Sequence, residues 1–566
     1  MLKQIENYIT LFVDFVWGMP LLILLVGGGS IFLIYSQFIP FRYFRHAIAI
    51  LMGKYDDKND PGEINHYQAL AAALAATIGV GNISGVAVAI TTGGPGAVFW
   101  MWVSAVVGMA TKYFTCTLSV MYRGKDSLGD LQGGPMYVIE EGMGRQWKPL
   151  AVFFCLAGMI GCFPIFQANQ LTEVVRSVVL VPNHWVGENT FYTDLATGIG
   201  IVIIVSLVIF GGIKRIGVIA GSMMPLMVIS YVLSCFYILF YNIQNIPSGF
   251  YTIFTDAFSG NALLGGAVGT LIIIGVKRAA FSNEAGIGTS PMMHGAVKTK
   301  EPVREGLVAM MEPFIDTIVV CTMTALIIIM SGVWQHKIDP QKPVAIQVEN
   351  SQEGGKVVFK IKATKPDPKV QTEQPQLAQK GQEDYHLKAD IRGDSIVLIS
   401  ESGALPTQLE LKADNQIKNI PLIIKQQEIS GQNYIILKED RSRGVTVTAE
   451  VFNQAMPGFG QYILLFCISI FALTTLFSYS YYGMKCFAYL FGAKYKSLYN
   501  IFYVASIIFG AVASVKAAVG IIDGMYALMA VPTMGSTLYL APRVMRASRD
   551  YFSRLKASKA QAKAKV

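Results

Sequence analysis

Two short stretches place glycine and amide side chains inside segments that are otherwise apolar enough to cross a membrane. The first, ATIGVGNISG at 76–85, contains Gly79, Gly81, Gly85 and the polar Asn82. Glycine weakens a helix by about 1 kcal/mol relative to alanine. A helix that breaks here frees amides that attract a carboxylate and carbonyls that coordinate a cation. A zwitterionic amino acid and Na+ would suit both kinds of group.

The second stretch, FSNEAGIGTSP at 281–291, combines two glycines and a proline with the polar residues Ser282, Asn283 and Glu284. Each stretch opens a block of five predicted spans. Because five is odd, the two interrupted helices should run in opposite directions. Interrupted helices in corresponding positions of two halves are the sequence pattern of an inverted-repeat transporter.

The composition fits this interpretation. The chain is 53% hydrophobic and 15% charged, with a mean hydropathy of +0.45, whereas soluble domains carry about 25% charged residues. This predicts an all-α polytopic membrane protein. Eleven spans are predicted, at about 12–35, 68–90, 96–121, 149–178, 194–212, 216–241, 261–277, 305–333, 458–480, 498–520 and 523–541.

The loops predict the orientation and the domains. Basic loops alternate with loops almost free of Lys and Arg, which predicts an outer N-terminus and a cytoplasmic C-terminus in the cell (inner) membrane. Short Val- and Ile-rich runs between Gln335 and Met456 predict a β-rich extracytoplasmic insertion. The predicted parts are an extra N-terminal helix (1–40), a first repeat (66–245), the start of a second repeat (255–334), the insertion (335–456), the rest of the second repeat (457–541) and a basic tail (542–566).

Several longer segments resemble the alanine or glycine:cation symporter family. They are ATIGVGNISGVAVAITTGGPGAVFWMWVSAVVGMATKY, GDLQGGPMYVIEEGMG, KRAAFSNEAGIGTSP, EPFIDTIVVCTMTAL and FALTTLFSYSYYGMK. The resemblance covers nearly all of the membrane part but not roughly 335–456. It implies a leucine-transporter-type 5+5 inverted repeat with one extra N-terminal helix. It also implies Na+-coupled uptake of a small neutral amino acid such as alanine or glycine.

The resemblance also implies roles for individual residues. The amides from Gly79 to Gly81 would face the substrate carboxylate. Carbonyls of Ala75 and Ile78 and hydroxyls of Thr474 and Thr475 would hold Na+, unless the threonines back-bond to their own helix. The remaining residues expected at the substrate are Asn82, Gln167, Ser282, Gly286, Thr475 and Tyr479. Two of them have structural alternatives: Asn82 could cap a half-helix, and Gln167 could make an interhelical hydrogen bond.

Buried carboxylates and departures from the family pattern leave further questions. Glu284 is expected to pair with Lys277 or Arg278, or to hold loop amides, rather than contact the substrate. Glu312 and Asp316 are four residues apart and should share one helix face, either for function or in a network with Thr or backbone groups. The family commonly has a Gly-Trp pair where this chain has Ser478 and Tyr479, which predicts a roomier or more polar pocket roof.

Other classes of function find little support in the residues. None of the six histidines lies in the middle of a predicted span, and HExxH and GxGD motifs are absent, so an intramembrane enzyme is not expected. The formal charge of +9 comes largely from the tail, which is expected to be a solvated, disordered segment or to touch anionic lipid, and it does not indicate a nucleic acid. The alternative to a symporter is a transporter-derived amino-acid sensor whose insertion binds a partner of unknown identity.

Overall fold

The protein is described from a computed structural model. The structure describes residues 2–564 apart from 58, 80, 182, 184, 187–189, 259–266, 336–344, 354–355, 365–386, 393–394, 401–407, 412–421, 430–431, 440–443 and 513–515. The chain forms two compact units, Gly332–Arg443 and the remainder, Met1–Ser331 with Gly444–Val566. The larger unit is helical and contains the interrupted segments.

The principal helices are α1 (Leu11–Tyr35), α2 (His66–Thr77), α3 (Gly81–Gly93), α4 (Ala97–Met121), α5 (Arg145–Leu180), α6 (Phe191–Ile209), α7 (Gly212–Tyr241), α8 (Ile246–Ala257), α9 (Ala267–Asn283), α10 (Thr289–His294), α11 (Pro302–Ser331), α12 (Gly444–Ala455), α13 (Gly460–Phe491), α14 (Ala493–Val512), α15 (Lys516–Leu528) and α16 (Ala530–Ala564). Among the described residues, eight helices are long and apolar enough to span a membrane, and the bent pair α2–α3 would make a ninth span. The protein is therefore a multi-pass helical membrane protein, while the count of eleven spans stays a prediction.

The two predicted interruptions are present, and they lie side by side. The helix axis bends by 53° between α2 and α3. α9 ends at Asn283 and α10 begins at Thr289, so five residues, 284–288, lie between them. The first half of each interrupted helix packs against the second half of the other: α2 contacts α10, and α9 contacts α3. The two helices therefore run antiparallel with their breaks at the same level.

The smaller unit contains short strands. With the hairpin β1 (Gly124–Lys125) and β2 (Leu131–Gln132) of the larger unit, the strands are β3 (Ala345–Glu353), β4 (Lys356–Thr364), β5 (Leu387–Arg392), β6 (Ser395–Ser400), β7 (Gln408–Leu411), β8 (Leu422–Ile429) and β9 (Gln432–Glu439). β1 and β2 pair with each other. The strands of the smaller unit form two sheets, in the orders β3-β4-β7 and β5-β6-β9-β8. That the segment lies outside the membrane stays a prediction. The Pro-, Gln- and Lys-rich stretch at 353–382, part of which is predicted to be a linker, falls largely outside the described residues.

One of the Val-rich runs of the predicted β-rich insertion, GVTVTAEV at 444–451, is expected to be a strand. That prediction is wrong, because these residues begin α12. The helix belongs to the larger unit and packs against α3, α11 and α13. Thr448, Val451 and Phe452 are buried there. Burial of this face outweighs the strand preference of the β-branched residues, since tertiary packing commonly overrides local propensity.

Candidate functional site

The first break exposes carbonyl oxygens at the end of α2. Ile78 leaves the helix with an extended backbone (ψ 101°), so the last four carbonyls of α2, which include those of Ala75 and Ile78, have no intrahelical partner. The hydroxyl of Thr475 on α13 lies 3.3 Å from both Ala75 O and Ala76 O, and 2.9 Å from Phe471 O in its own helix.

This group of atoms has more acceptors than donors. Thr475 carries one hydroxyl proton, and a hydroxyl donates a single hydrogen bond. Ala75 O and Ala76 O, at the end of α2, have no intrahelical partner and share this one proton with Phe471 O, which leaves lone pairs unmatched in a buried place. Oxygen-rich surroundings of this kind are what a hard cation requires. The donor set therefore fits Na+. Both threonines bond back to their own helix, as the alternative interpretation expects. Thr475 also faces the carbonyls of α2, whereas the Thr474 hydroxyl faces the sulfur of Met227 and does not join the group.

Asn82 takes the capping role of its two alternatives. Its Oδ1 accepts the amide of Gly79 at 2.9 Å, and its Nδ2 donates to Asp316 Oδ1 at 2.6 Å. A backbone amide buried without water must find an acceptor, and the side chain three residues further on supplies it. The expectation that the Gly79 amide faces a substrate carboxylate is thus wrong for this conformation.

A small cavity lies between the break and α13. It measures about 20 Å³, and its lining consists of Ala76, Thr77, Gly79, Gly81, Phe166, Gln167, Phe281, Thr475 and Tyr479. That volume holds roughly one water molecule. Five of the expected substrate residues therefore share one cavity: Gly79, Gly81, Gln167, Thr475 and Tyr479. The two phenylalanines were not anticipated, because nothing distinguishes them in sequence from apolar residues that face lipid.

A second cavity of about 220 Å³ adjoins the first and shares Phe166, Gln167, Phe281 and Tyr479 with it. The rings of Phe166 and Phe281 meet edge to face, with their centroids 6.3 Å apart. Among the described residues, Gln167 Oε1 is buried and has no hydrogen-bond partner. The interhelical hydrogen bond considered for this oxygen is therefore not made, and it is free to accept from a ligand.

Ser282 and Gly286 are not brought to the small cavity. Ser282 donates to Asp316 Oδ2 at 2.7 Å. A Cβ at Gly286 would instead meet Leu25 and Met534. The spacing located the second break but not the direction in which each residue of the break faces.

The buried carboxylates near the breaks have partners other than those expected. Glu284 accepts from Thr289 Oγ1 at 2.5 Å and Tyr479 Oη at 2.7 Å, so pairing with Lys277 or Arg278 is wrong. These two cations instead line the larger cavity with Asp523.

Asp316 and Glu312 belong to separate networks. Asp316 accepts from Asn82, Ser282 and Thr317, whereas Glu312 contacts Lys112, Ser290 and His294. The backbone turns from α to π at Phe314, and this wider turn alters the angle that a spacing of four residues produces. Asp316 thereby ties α3, α9 and α11 together at the level of the breaks.

Comparisons with known proteins identify the family of the chain. The chain matches the sodium:alanine symporter family over residues 2–355 and 426–565. It is 33% identical over 98% of its length to an uncharacterized transporter of Haemophilus influenzae, covering 97% of that protein. It is also 33% identical to the sodium/alanine symporter AgcS of Methanococcus maripaludis, over 95% of each chain.

A solved structure shares the fold. The crystal structure of MhsT in complex with L-phenylalanine superimposes with a TM-score of 0.50 at 12% identity, over 85% of this chain and 89% of that one. The helical unit thus has the leucine-transporter-like architecture, and the similar proteins are transporters, not enzymes. From its match along most of its length, the chain belongs to the sodium:alanine symporter family.

Proposed function

We propose that the protein couples Na+ entry to uptake of a small neutral amino acid, by alternating access around the two breaks. One observation carries the proposal: the single hydroxyl of Thr475 faces the carbonyls of Ala75, Ala76 and Phe471 beside a cavity. A cation between α2 and α13 would satisfy these oxygens together and join two helices distant in sequence.

The neighbouring cavity suits an amino acid. Gln167 Oε1 is an unpaired acceptor suited to the ammonium group. The start of α3 at Gly81 is the positive end of a helix and suits the carboxylate. A volume of about 20 Å³ is too small for any amino acid, so the cavity must widen before substrate binds. We infer that the ring pair Phe166 and Phe281, which lines both cavities, moves aside in that step.

The size class of substrate follows from the residues around the cavity. Tyr479 donates to Glu284 and stacks on Tyr526, with ring centroids 6.0 Å apart, so its ring is held from both sides and forms a fixed roof with a polar edge. This favours alanine, glycine or serine over bulkier amino acids. We further propose that the N-terminus lies outside and the C-terminus in the cytoplasm.

Uptake of radiolabelled alanine, glycine and serine into proteoliposomes tests the function. Accumulation should require an inward Na+ gradient and should increase when the interior is made negative, because net positive charge enters. Replacing Na+ by choline should abolish it. Uptake that is indifferent to this replacement would refute Na+ coupling, and amino-acid binding without any accumulation would favour a sensor. Protein-free liposomes provide the control.

A further inference from the structure

Away from the cavity, five titratable side chains form one continuous buried chain. His66 Nδ1 bonds to Glu305, whose second oxygen bonds to His294 Nδ1. His294 Nε2 lies 2.5 Å from Glu312 Oε1, and Glu312 Oε2 lies 2.5 Å from Lys112 Nζ. Each of the five side chains is at most 1% exposed. They come from α2, α4, α10 and α11, and the symport scheme uses none of them.

The hydrogen bonds of His294 require that these five side chains hold one proton more than they would with both carboxyl groups ionised and both histidines neutral. Both nitrogens of His294 face carboxylate oxygens, yet a neutral imidazole has one donor and one acceptor. If Glu305 and Glu312 are both ionised, His294 must carry two N–H groups and a positive charge. Otherwise one of the carboxyl groups is protonated. In either case one exchangeable proton is shared between His294 and its two neighbours.

One end of the chain leads toward the surface. His66 Nε2 is buried and has no hydrogen-bond partner among the described residues, and Asp56 Oδ1 lies 3.9 Å from it. The side chain of Asp56 is 38% exposed. A proton from solvent can add to Nε2 while Nδ1–H passes to Glu305. When His294 Nδ1 carries no proton, rotation of that carboxyl group presents the proton to it. The O–H bond of Glu305 breaks as the N–H bond of His294 forms, and His66 is left with its proton on Nε2.

The short helix α10 links these five hydrogen-bonded side chains to the cavity. Along α10, Ser290 and His294 bind Glu312, while Thr289 binds Glu284, which in turn accepts from the cavity residue Tyr479. Loss of the shared proton leaves two carboxylates facing a ring with a single donor, which repels α10 from α11. Five further titratable or charged groups face these side chains. They are Cys116 on α4, Arg123 in the loop after α4, Glu284 at the second break, Asp316 on α11 and Tyr482 on α13.

We propose that the chain His66–Glu305–His294–Glu312–Lys112 is a proton-binding site that is open to solvent at Asp56. Its occupancy holds α10 in place and so adjusts the second break to the pH on that side of the membrane. The proton site stands independently of the substrate; only its effect on uptake rests on the proposed function.

The test measures the apparent Tm of the purified full-length protein in detergent between about pH 6 and about pH 9. The folded protein holds a proton that the unfolded chain releases above the ordinary histidine pKa. Its unfolding equilibrium constant should therefore rise by up to about tenfold per pH unit, and its Tm should fall. His294→Asn keeps a donor to Glu305 but binds no proton. Glu305→Gln removes one of the two carboxylates, so that a neutral His294 ring can satisfy both of its neighbours. Both variants should flatten this slope. The matched control is His46→Gln, at a buried histidine bonded to Tyr551 outside the chain, which should retain the wild-type slope.

A wild-type slope in both His294→Asn and Glu305→Gln, or an equal flattening in His46→Gln, would overturn the proposal. If His294→Asn does not fold, Glu305→Gln decides, because the amide keeps the size of the carboxyl group, accepts from His66 Nδ1 and donates to His294 Nδ1. In oriented proteoliposomes, alanine uptake should respond to pH only on the side of Asp56, and a response confined to the other side would also overturn it. Absence of alanine uptake would count against the proposed function alone, since the melting data need no substrate.

Discussion

Replacing Thr475 by alanine should weaken Na+ binding sharply. The change removes the one side-chain oxygen in a group otherwise built from the carbonyls of Ala75, Ala76 and Phe471. A buried polar contact to a charge contributes about 1.5–3 kcal/mol. At about 1.4 kcal/mol per factor of ten, the Na+ concentration for half-maximal effect should rise roughly 10- to 100-fold.

The assay is alanine uptake as a function of Na+ concentration, together with the Na+-induced shift of the apparent Tm. Thr474→Ala is the matched control, since its hydroxyl bonds back to its own helix and faces a sulfur. That variant should change the Na+ requirement by less than about threefold, because a hydroxyl back-bond to its own helix contributes little. Thr475→Ser restores a hydroxyl and should recover most of the affinity.

The reasoning fails if Thr475→Ala keeps the wild-type Na+ requirement. It also fails if Thr474→Ala shows the larger loss, because the cation would then lie on the α7 side of α13. A Tm lowered equally in both variants, with no change in the Na+ dependence of either, would assign the two threonines to helix packing.

Three further substitutions test the neighbouring geometry. Gly79→Ala should raise the Na+ requirement, because the new Cβ would lie 3.1 Å from the Thr475 hydroxyl. The control Gly85→Ala should not raise it, because its Cβ would meet no other atom closer than 4.0 Å. Equal effects of the two substitutions would contradict the close approach at Gly79. Asn82→Ala should lower stability by about 1–3 kcal/mol, since an amide loses its cap and a buried carboxylate loses a donor, and an unchanged Tm would argue against the cap. Gln167→Ala should raise the half-saturating alanine concentration roughly tenfold at unchanged Tm, as expected for one lost contact to a charged ligand. A lower Tm without a change in alanine affinity would show that Gln167 stabilises the fold and does not bind the substrate.

Much of the membrane fold was predictable because its signals are local. A long apolar run predicts a membrane-spanning helix. Glycines and a polar residue inside such a run predict a break in that helix, as at Gly79 and Asn82. Gln167, Thr475 and Tyr479 line one cavity, and their role at a substrate stays a prediction. These residues were identified through resemblance, because no local pattern says which residues of separate spans meet.

The rest depends on long-range packing. Ser282 and Gly286 lie in the predicted break but face away from the cavity. Ser282 still belongs to α9 and bonds to Asp316, whereas Gly286 follows the left-handed residue Glu284 (φ 56°) and is itself left-handed (φ 88°). The buried proton chain was missed because its members join residues up to 239 positions apart. One signal was available: Lys112 lies within an apolar span, and an ionisable residue there implies a partner.

The pairing of Lys112 with Glu312 has a consequence for biosynthesis. A lone lysine or acidic residue at the centre of a membrane helix disfavours insertion by about 2.5–3.5 kcal/mol on translocon scales. The two residues are 200 positions apart in the chain, so α4 leaves the ribosome roughly 10–40 s before its partner at usual synthesis rates. During that interval α4 is an incompletely stable span. Chains truncated before Pro302 should therefore leave Ala97–Met121 partly uninserted, and Lys112→Leu should restore its insertion.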